Sequence, residues 1–209
     1  EVVREDNANP FAGILHHNEN VDLVPSNLEL AGLEQSMLNV LSRESVLKNY
    51  LNQVKNSYDY VVIDTMPSLG LITLNALVAA DSVIVPVQAQ YLPAKGMTQL
   101  LQTVSKVKRQ INPDLQIEGI LLPLVDNRTN LSRSTATALK ENFGKHIKIF
   151  GSTIPIAVKA AEVSSKGQSI YSYEPNSPVS KAYAEFTKEV LADANRQKER
   201  LHASHDRTR

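Results

Sequence analysis

The sequence predicts a doubly wound α/β fold, a mostly parallel sheet with helices on both faces. Three observations carry that prediction. Short β-branched runs alternate with helical stretches along nearly the whole chain, the order that parallel strands and their crossovers require. The runs are near-continuous in apolar residues, as strands buried on both faces read. Asp64, Gln88 and Asp126 each close one such run, and in open α/β sheets ligands sit beyond the carboxyl ends of the strands.

The elements follow in order. "VDLVP" is a short strand that Pro25 stops, and Ser26 or Asn27 can cap what comes next. From Leu28 to Val54 apolar residues recur at helical spacing, with a restart between Ser42 and Ser45, which predicts two helices. "YVVID" predicts a strand buried on both faces. "LGLITLNALVAA" predicts a helix and "DSVIVPVQ" another buried strand. "AKGMTQLLQTVSKVKRQIN" is amphipathic, with Lys106, Lys108 and Arg109 near the helix end that tolerates positive charge. "IEGILLPLVD" predicts a strand, "LSRSTATALKENFG" a helix and "IFGSTIPI" a short strand. "SPVSKAYAEFTKEVLADANRQKERL" predicts the last helix, fading into a polar tail. The domain expected is residues 1–192, with 193–209 as a basic tail.

Composition narrows the function classes. At 209 residues and 42% hydrophobic, the chain is ordinary for a globular protein. It has no cysteine, which excludes disulfides, thiolate catalysis, Cys-based zinc sites and cysteine-ligated iron–sulfur clusters. No apolar run reaches the ~18 residues of a membrane span, and no signal peptide is visible. A net charge of zero hides an asymmetry: residues 1–60 carry four Lys/Arg against nine Asp/Glu, residues 61–209 eighteen against thirteen. The carboxyl-terminal part is the candidate for an anionic partner, against the plainer reading of solubilising charge. His16 and His17 are adjacent on an extended run, so their side chains face opposite ways and do not ligate one ion.

The stretch "YDYVVIDTMPSLG" runs apolar residues into Asp64 and then breaks on Pro67 and Gly70. From these residues alone two readings stand: an acid facing a phosphate-bound metal, or an aspartate closing a strand by a turn hydrogen bond. Together with "ALVAADSVIVPVQAQYLPAKGMTQLL", this stretch resembles the Walker B and switch region of ParA-type ATPases, the Soj partition proteins of bacteria. "GILHHNENVDLVPSNLELAGLEQSMLNVLSRESVLKNYL", "LPLVDNRTNLS" and "STIPIAVKAAEVSSKGQSIYSYEPNSPVSKAYAEFTKEVL" are similar to the same family, so the resemblance covers about residues 10–192 in order. One departure is large. The family's Gly-Lys-Thr phosphate loop is absent from these residues: none of the eight glycines falls in a Gly-x-x-x-x-Gly-Lys-Ser/Thr pattern. The chain is expected to begin after that loop, and so after a core strand and a second acidic motif that positions the attacking water.

The resemblance implies roles. Asp64 would be the Walker B carboxylate, holding magnesium through water beside the nucleotide phosphates. Thr65, Pro67, Ser68 and Gly70 would form a switch loop, and Gln88 to Gly96 the neighbouring nucleotide-side loop. Pro155 would pack near adenine; the plainer reading is a strand terminator. The family often has a basic residue after this proline, and Ile156 stands there instead. Lys159, Lys166 and Lys181 would meet DNA phosphates without reading bases, against the bland reading of solvated surface lysines.

The function so implied is a DNA partition ATPase for a chromosome, plasmid or mobile element. It is expected to form an ATP-dependent homodimer that binds DNA non-specifically and is stimulated by a ParB-type partner. ATP and magnesium are the cofactors of the full-length parent; this chain alone is expected to bind them poorly and to be inactive. The alternative is a nucleotide-free interaction protein that keeps its DNA and partner faces. The reductase branch of the same scaffold needs cluster cysteines and is excluded; for a biosynthetic ligase branch no substrate pocket is legible. The tail lacks the apolar face of the membrane helix in related MinD proteins, so the expected location is cytoplasmic, on the nucleoid, with no membrane attachment.

Overall fold

The computed structural model describes residues 9–27, 30, 32, 36–37, 40–66, 68–88, 94–126 and 128–206. The chain divides into two compact units: Glu1–Val83 with Ala94–Gln116, and Ile84–Pro93 with Ile117–Arg209.

The first unit opens with an antiparallel hairpin, β1 (Leu15–His17) and β2 (Val21–Leu23), in which Leu15 faces Leu23 and His17 faces Val21. Three residues turn the hairpin, and the last, Asn20, takes a left-handed conformation that asparagine tolerates well. Alternation puts His16 and Asp22 on one face, where His16 Nδ1 lies 2.8 Å from Asp22 Oδ1 and the Tyr58 hydroxyl donates to Asp22 Oδ2 at 2.8 Å. These two contacts hold the Asp22 carboxyl below its usual range. His17, on the other face, accepts from the Glu19 amide. The two histidines therefore have separate partners.

A 3₁₀ turn at Arg43–Ser45 leads into helix α1 (Val46–Val54), and a second 3₁₀ turn at Lys55–Ser57 ends it. Tyr50 and Val54 of α1 pack with Ile14, flanked by Leu47, Leu51 and Tyr58. Helix α2 (Leu71–Ala79) buries most of its surface. Its Asn75 accepts from the Leu47 amide and donates to the carbonyls of Arg43 and Leu71. One buried amide thus serves the start of α1 from a neighbouring helix, and Ser45 makes no side-chain cap there.

The last part of this unit is helix α3 (Ala94–Gln110), with Met97, Val104 and Val107 buried and Lys106, Lys108 and Arg109 exposed. Just past it, Asn112 reaches back to α2, its Nδ2 donating to the carbonyls of Leu77, Val78 and Ala80 at 3.1, 3.3 and 2.8 Å. These are end-of-helix acceptors that α2 cannot satisfy itself. Asn112→Ala is expected to lower the unfolding free energy by about 1–2 kcal/mol, the cost of stranding buried acceptors; urea denaturation of the two proteins measures it.

Two expectations for this unit need revision or set-aside. "YVVID" forms no strand: residues 60–66 have no ladder partner among the described residues, and Val62 is 92% exposed. The β-branched run reports fitness for a buried sheet, but a strand also needs a neighbouring backbone to pair with. Most of the first of the two helices expected between Leu28 and Val54 lies outside the described residues.

The second unit holds most of a three-stranded sheet in the order β3 (Ser82–Pro86), β4 (Gln116–Val125), β5 (Ile149–Pro155). β4 and β5 run parallel, with Ile120, Leu122 and Val125 opposite Ile149, Thr153 and Pro155. The register slips twice. β5 carries two extra residues between its first two pairs, and β4 carries one before Val125. The β4 irregularity contains Pro123 and a left-handed Leu124 at φ 56°. A bulge is where a proline fits inside a strand, and the Leu124 backbone is strained by about 1–2 kcal/mol.

Helix α4 (Asn130–Phe143) is capped by Thr129, whose hydroxyl oxygen accepts from the Ser132 amide. Helix α5 (Val158–Lys166) ends on Gly167, left-handed at φ 61° as a helix-terminating glycine often is. A four-residue helix α6 (Ile170–Tyr173) follows, capped by Ser169. The last helix, α7 (Pro178–Asp206), starts with proline at its first position and Ser177 capping the Ser180 amide. Its helical backbone continues through most of the expected tail.

The core of this unit is Leu121, Phe150, Ile154 and Val179, with Phe186 and Val190 of α7 packed on it. Phe150 and Phe186 meet edge to face at 5.0 Å. Gly119 permits the close approach of β4 to β5: a Cβ there would stand 2.9 Å from the Lys148 carbonyl oxygen and 2.9 Å from the Phe150 ring. The α/β class and its parallel sheet agree with the sequence prediction.

Candidate functional site

Asp64 belongs to the first unit. Its carboxylate is exposed and makes no hydrogen bond or ion pair among the described residues. Thr65 beside it is also exposed, and Pro67 lies outside the described residues. The chain then bends, the Ser68 amide donating to the Met66 carbonyl at 2.8 Å. The Thr73 hydroxyl of α2, itself buried, donates to the Ser68 carbonyl at 2.6 Å. So the loop that follows the acid is tied at one point to a buried helix. Thr73 was not singled out in the sequence; a hydroxyl in a mostly apolar helical run was the available signal.

In the second unit the parallel sheet brings three expected positions to one edge. Gln88 follows β3, Asp126 follows β4, and Pro155 is the last residue of β5. Gln88 is exposed, Pro155 half-buried. The Val87 amide donates to the Leu121 carbonyl, and the Ile156 amide to the Val125 carbonyl, so backbone bonds fix this edge on both sides of β4. Most of the Gln88 to Gly96 loop lies outside the described residues.

Asp126 is engaged locally. Its Oδ1 accepts from the Arg128 backbone amide at 3.0 Å and from Arg128 Nε at 3.1 Å, and its Oδ2 accepts from the guanidinium at 3.3 Å. The Arg128 side chain and amide hold the Asp126 carboxyl below its ordinary value. The Asp-x-Arg spacing of "VDNRT" was the signal for this turn.

The three expected DNA-facing lysines are all exposed and all in the second unit. Lys159 and Lys166 are seven residues apart on α5 and share a face. Lys181 lies in the first turns of α7. Their surroundings differ. Lys159 Nζ is 2.6 Å from Glu174 Oε2, and this contact raises its pKa. Lys166 and Lys181 make no ion pair among the described residues. Glu174 is fifteen residues from Lys159, with no periodic signal to announce the pairing.

Among the described residues no group of three or more His, Asp or Glu is disposed to hold a metal ion. An exposed carboxylate with no competing partner among the described residues, as at Asp64, fits a water-mediated contact to magnesium when phosphates supply the other ligands. No described helix is long and apolar enough to cross a membrane.

Known proteins resemble this chain at the level of sequence and of fold. The family profile described as an AAA domain matches residues 3–117. The sporulation initiation inhibitor protein Soj of Bacillus subtilis is 43% identical over 175 residues, 84% of this chain and 68% of that protein. The chromosome partitioning protein ParA of Myxococcus xanthus is 37% identical over 187 residues, covering 88% of this chain and 65% of the relative. Among solved structures, cobyrinic acid a,c-diamide synthase from Mycobacterium smegmatis with bound ADP and magnesium superposes with a TM-score of 0.75. That match is 34% identical and covers 88% of this chain and 68% of the other.

Proposed function

This chain belongs to the ParA/Soj family of partition ATPases, and from that premise we propose that it serves DNA segregation. In this reading, Mg-ATP drives a homodimer that binds DNA without sequence preference, and a ParB-type partner stimulates hydrolysis and release. The work takes place in the cytoplasm, on the nucleoid. Asp64 orients the magnesium, the Thr65–Gly70 loop responds to the γ-phosphate, and Gln88 and Pro155 border the nucleotide. The observation that carries the reading is the exposed Asp64 carboxylate, without a partner among the described residues, followed by a loop anchored to α2 through Thr73. A carboxylate already committed to a turn, as Asp126 is, would have to give up its partners to serve a metal.

The DNA part of the reading rests on electrostatics. Phosphate contacts by lysine release counterions, and each steepens the log–log salt dependence by about 0.9. Replacing Lys166 and Lys181 together by alanine is therefore expected to flatten the salt slope of DNA binding by up to about 1.8. Titrations of a duplex of arbitrary sequence at several salt concentrations, with Mg-ATP and with the chain joined to a ParA-type Gly-Lys-Thr segment, measure it. An unchanged slope would move the DNA face away from α5 and the start of α7, and the carboxyl-terminal basic stretch would be the next place to test.

A further inference from the structure

The surroundings of Lys159 do not suit a simple phosphate contact. Its ammonium is held by Glu174 at 2.6 Å. Glu162, three residues further along α5, adds a second carboxylate to the field at Lys159, and the Tyr173 hydroxyl lies 3.2 Å from Glu162 Oε2. One lysine and two carboxylates give the cluster a net charge of −1. A face with that balance repels a polyanion where it should attract one.

The lysine side chain is 55% exposed, so an incoming phosphate can reach it once the carboxylate gives way. Glu174 follows directly on α6, in a connection made of Gly167, a four-residue helix and a turn before α7. We propose that Glu174 is a built-in competitor for DNA phosphate at Lys159: the ion pair masks the lysine, and DNA contact there requires the carboxylate to be displaced. The proposal rests on the DNA-binding reading above and adds its regulation. It predicts that Lys166 and Lys181 supply the contacts of the masked state, and Lys159 one further contact on release. Exposed ion pairs are weak, so such a mask can be opened by a modest competing interaction.

The test is a double-mutant cycle in the chain joined to a ParA-type Gly-Lys-Thr segment, so that Mg-ATP can act: wild type, Glu174→Gln, Lys159→Ala and the double variant. Glu141→Gln, an exposed carboxylate on α4, is the control for the same change in net charge. A fluorescent duplex of arbitrary sequence is titrated with and without Mg-ATP, and each protein is also eluted from heparin by salt. Glu174→Gln is expected to bind the duplex about threefold to tenfold more tightly and to steepen the salt slope by about 0.9, one added phosphate contact. Lys159→Ala alone should change affinity less than about twofold, and the double variant should lose the gain. Glu141→Gln should leave binding near wild type. If wild type binds the duplex but Glu174→Gln gains nothing, or its gain survives Lys159→Ala, the masking proposal is overturned and the DNA reading stands. If no variant binds the duplex, the DNA reading falls and heparin decides the mask. Later elution of Glu174→Gln, only while Lys159 is present, upholds it; equal elution overturns it.

Discussion

Replacing Asp64 by alanine is expected to lower ATP hydrolysis at least ~10²-fold, the usual cost of removing one group that organises charge at the reacting phosphate. Magnesium is a small, hard ion that dehydrates reluctantly. It keeps several waters and takes one or two carboxylates, with substrate phosphates completing the shell. Asp64 is exposed and uncommitted among the described residues, so it can take that place without breaking an existing contact. The assay requires the chain joined to a ParA-type Gly-Lys-Thr segment, because these 209 residues contain no Gly-x-x-x-x-Gly-Lys-Ser/Thr pattern. Backbone amides and the lysine of such a loop cradle the phosphates. The 209-residue chain on its own is accordingly expected to show no micromolar ATP affinity by calorimetry. Micromolar binding without the loop would mean that groups other than a Gly-Lys-Thr loop hold the phosphates. Wild-type turnover in the Asp64→Ala protein would remove that residue from the mechanism.

The legibility of this fold in its sequence varies with the range of the interactions involved. The helices Leu71–Ala79, Ala94–Gln110 and Asn130–Phe143 and the strand Gln116–Val125 follow from local periodicity, and they stand where the residues predict. No local signal marks Val158–Lys166: Ala157 at its start offers no capping side chain, and its two large apolar residues, Val158 and Val163, do not recur at helical spacing. "YVVID" fails for another reason: its residues are fit for a sheet, but pairing depends on a second backbone that no local pattern reports. The candidate site divides the same way. Asp64 is legible because an acid ending an apolar run is a local anomaly. The Lys159–Glu174 pair and the Thr73 tether depend on how separate segments pack, and only the folded chain displays them. Leu124 in a left-handed conformation, two residues before Asp126, was likewise invisible: nothing about leucine announces a positive φ.

The second large effect belongs to Glu189, and it appears as a dependence of stability on pH. This α7 carboxylate reaches the β5 irregularity, where it accepts from the amides of Gly151 at 3.1 Å and Ser152 at 3.2 Å. Lys148 stands 2.9 Å from it and also pairs with Asp193. The extra residues in β5 turn two successive amides away from the ladder, and Glu189 is what satisfies them. Partial burial alone would raise its pKa. The Lys148 ammonium and the two amides outweigh that and hold it at about 2, against an ordinary value of 4.5. Because the folded value is depressed, the carboxylate stabilises the fold fully above pH ~4.5, and that contribution disappears as pH falls through ~2. The difference corresponds to roughly 3 kcal/mol, nearer 2 once its partial exposure to solvent is allowed for. Glu189→Ala, which also strands both amides and half of the Lys148 pairing, is expected to cost about 3 kcal/mol at neutral pH. Glu189→Gln keeps the shape and removes the titration. Denaturation of wild type and Glu189→Gln should therefore show a gap that is largest above pH ~5, about halved near pH 3 and nearly closed near pH 2. A gap that stays constant across that range would mean the carboxylate is not held by these partners in solution, and that α7 is seated on β5 without it, by the apolar packing of Val179, Phe186 and Val190 on Phe150 and Ile154 and by the Lys148–Asp193 pair.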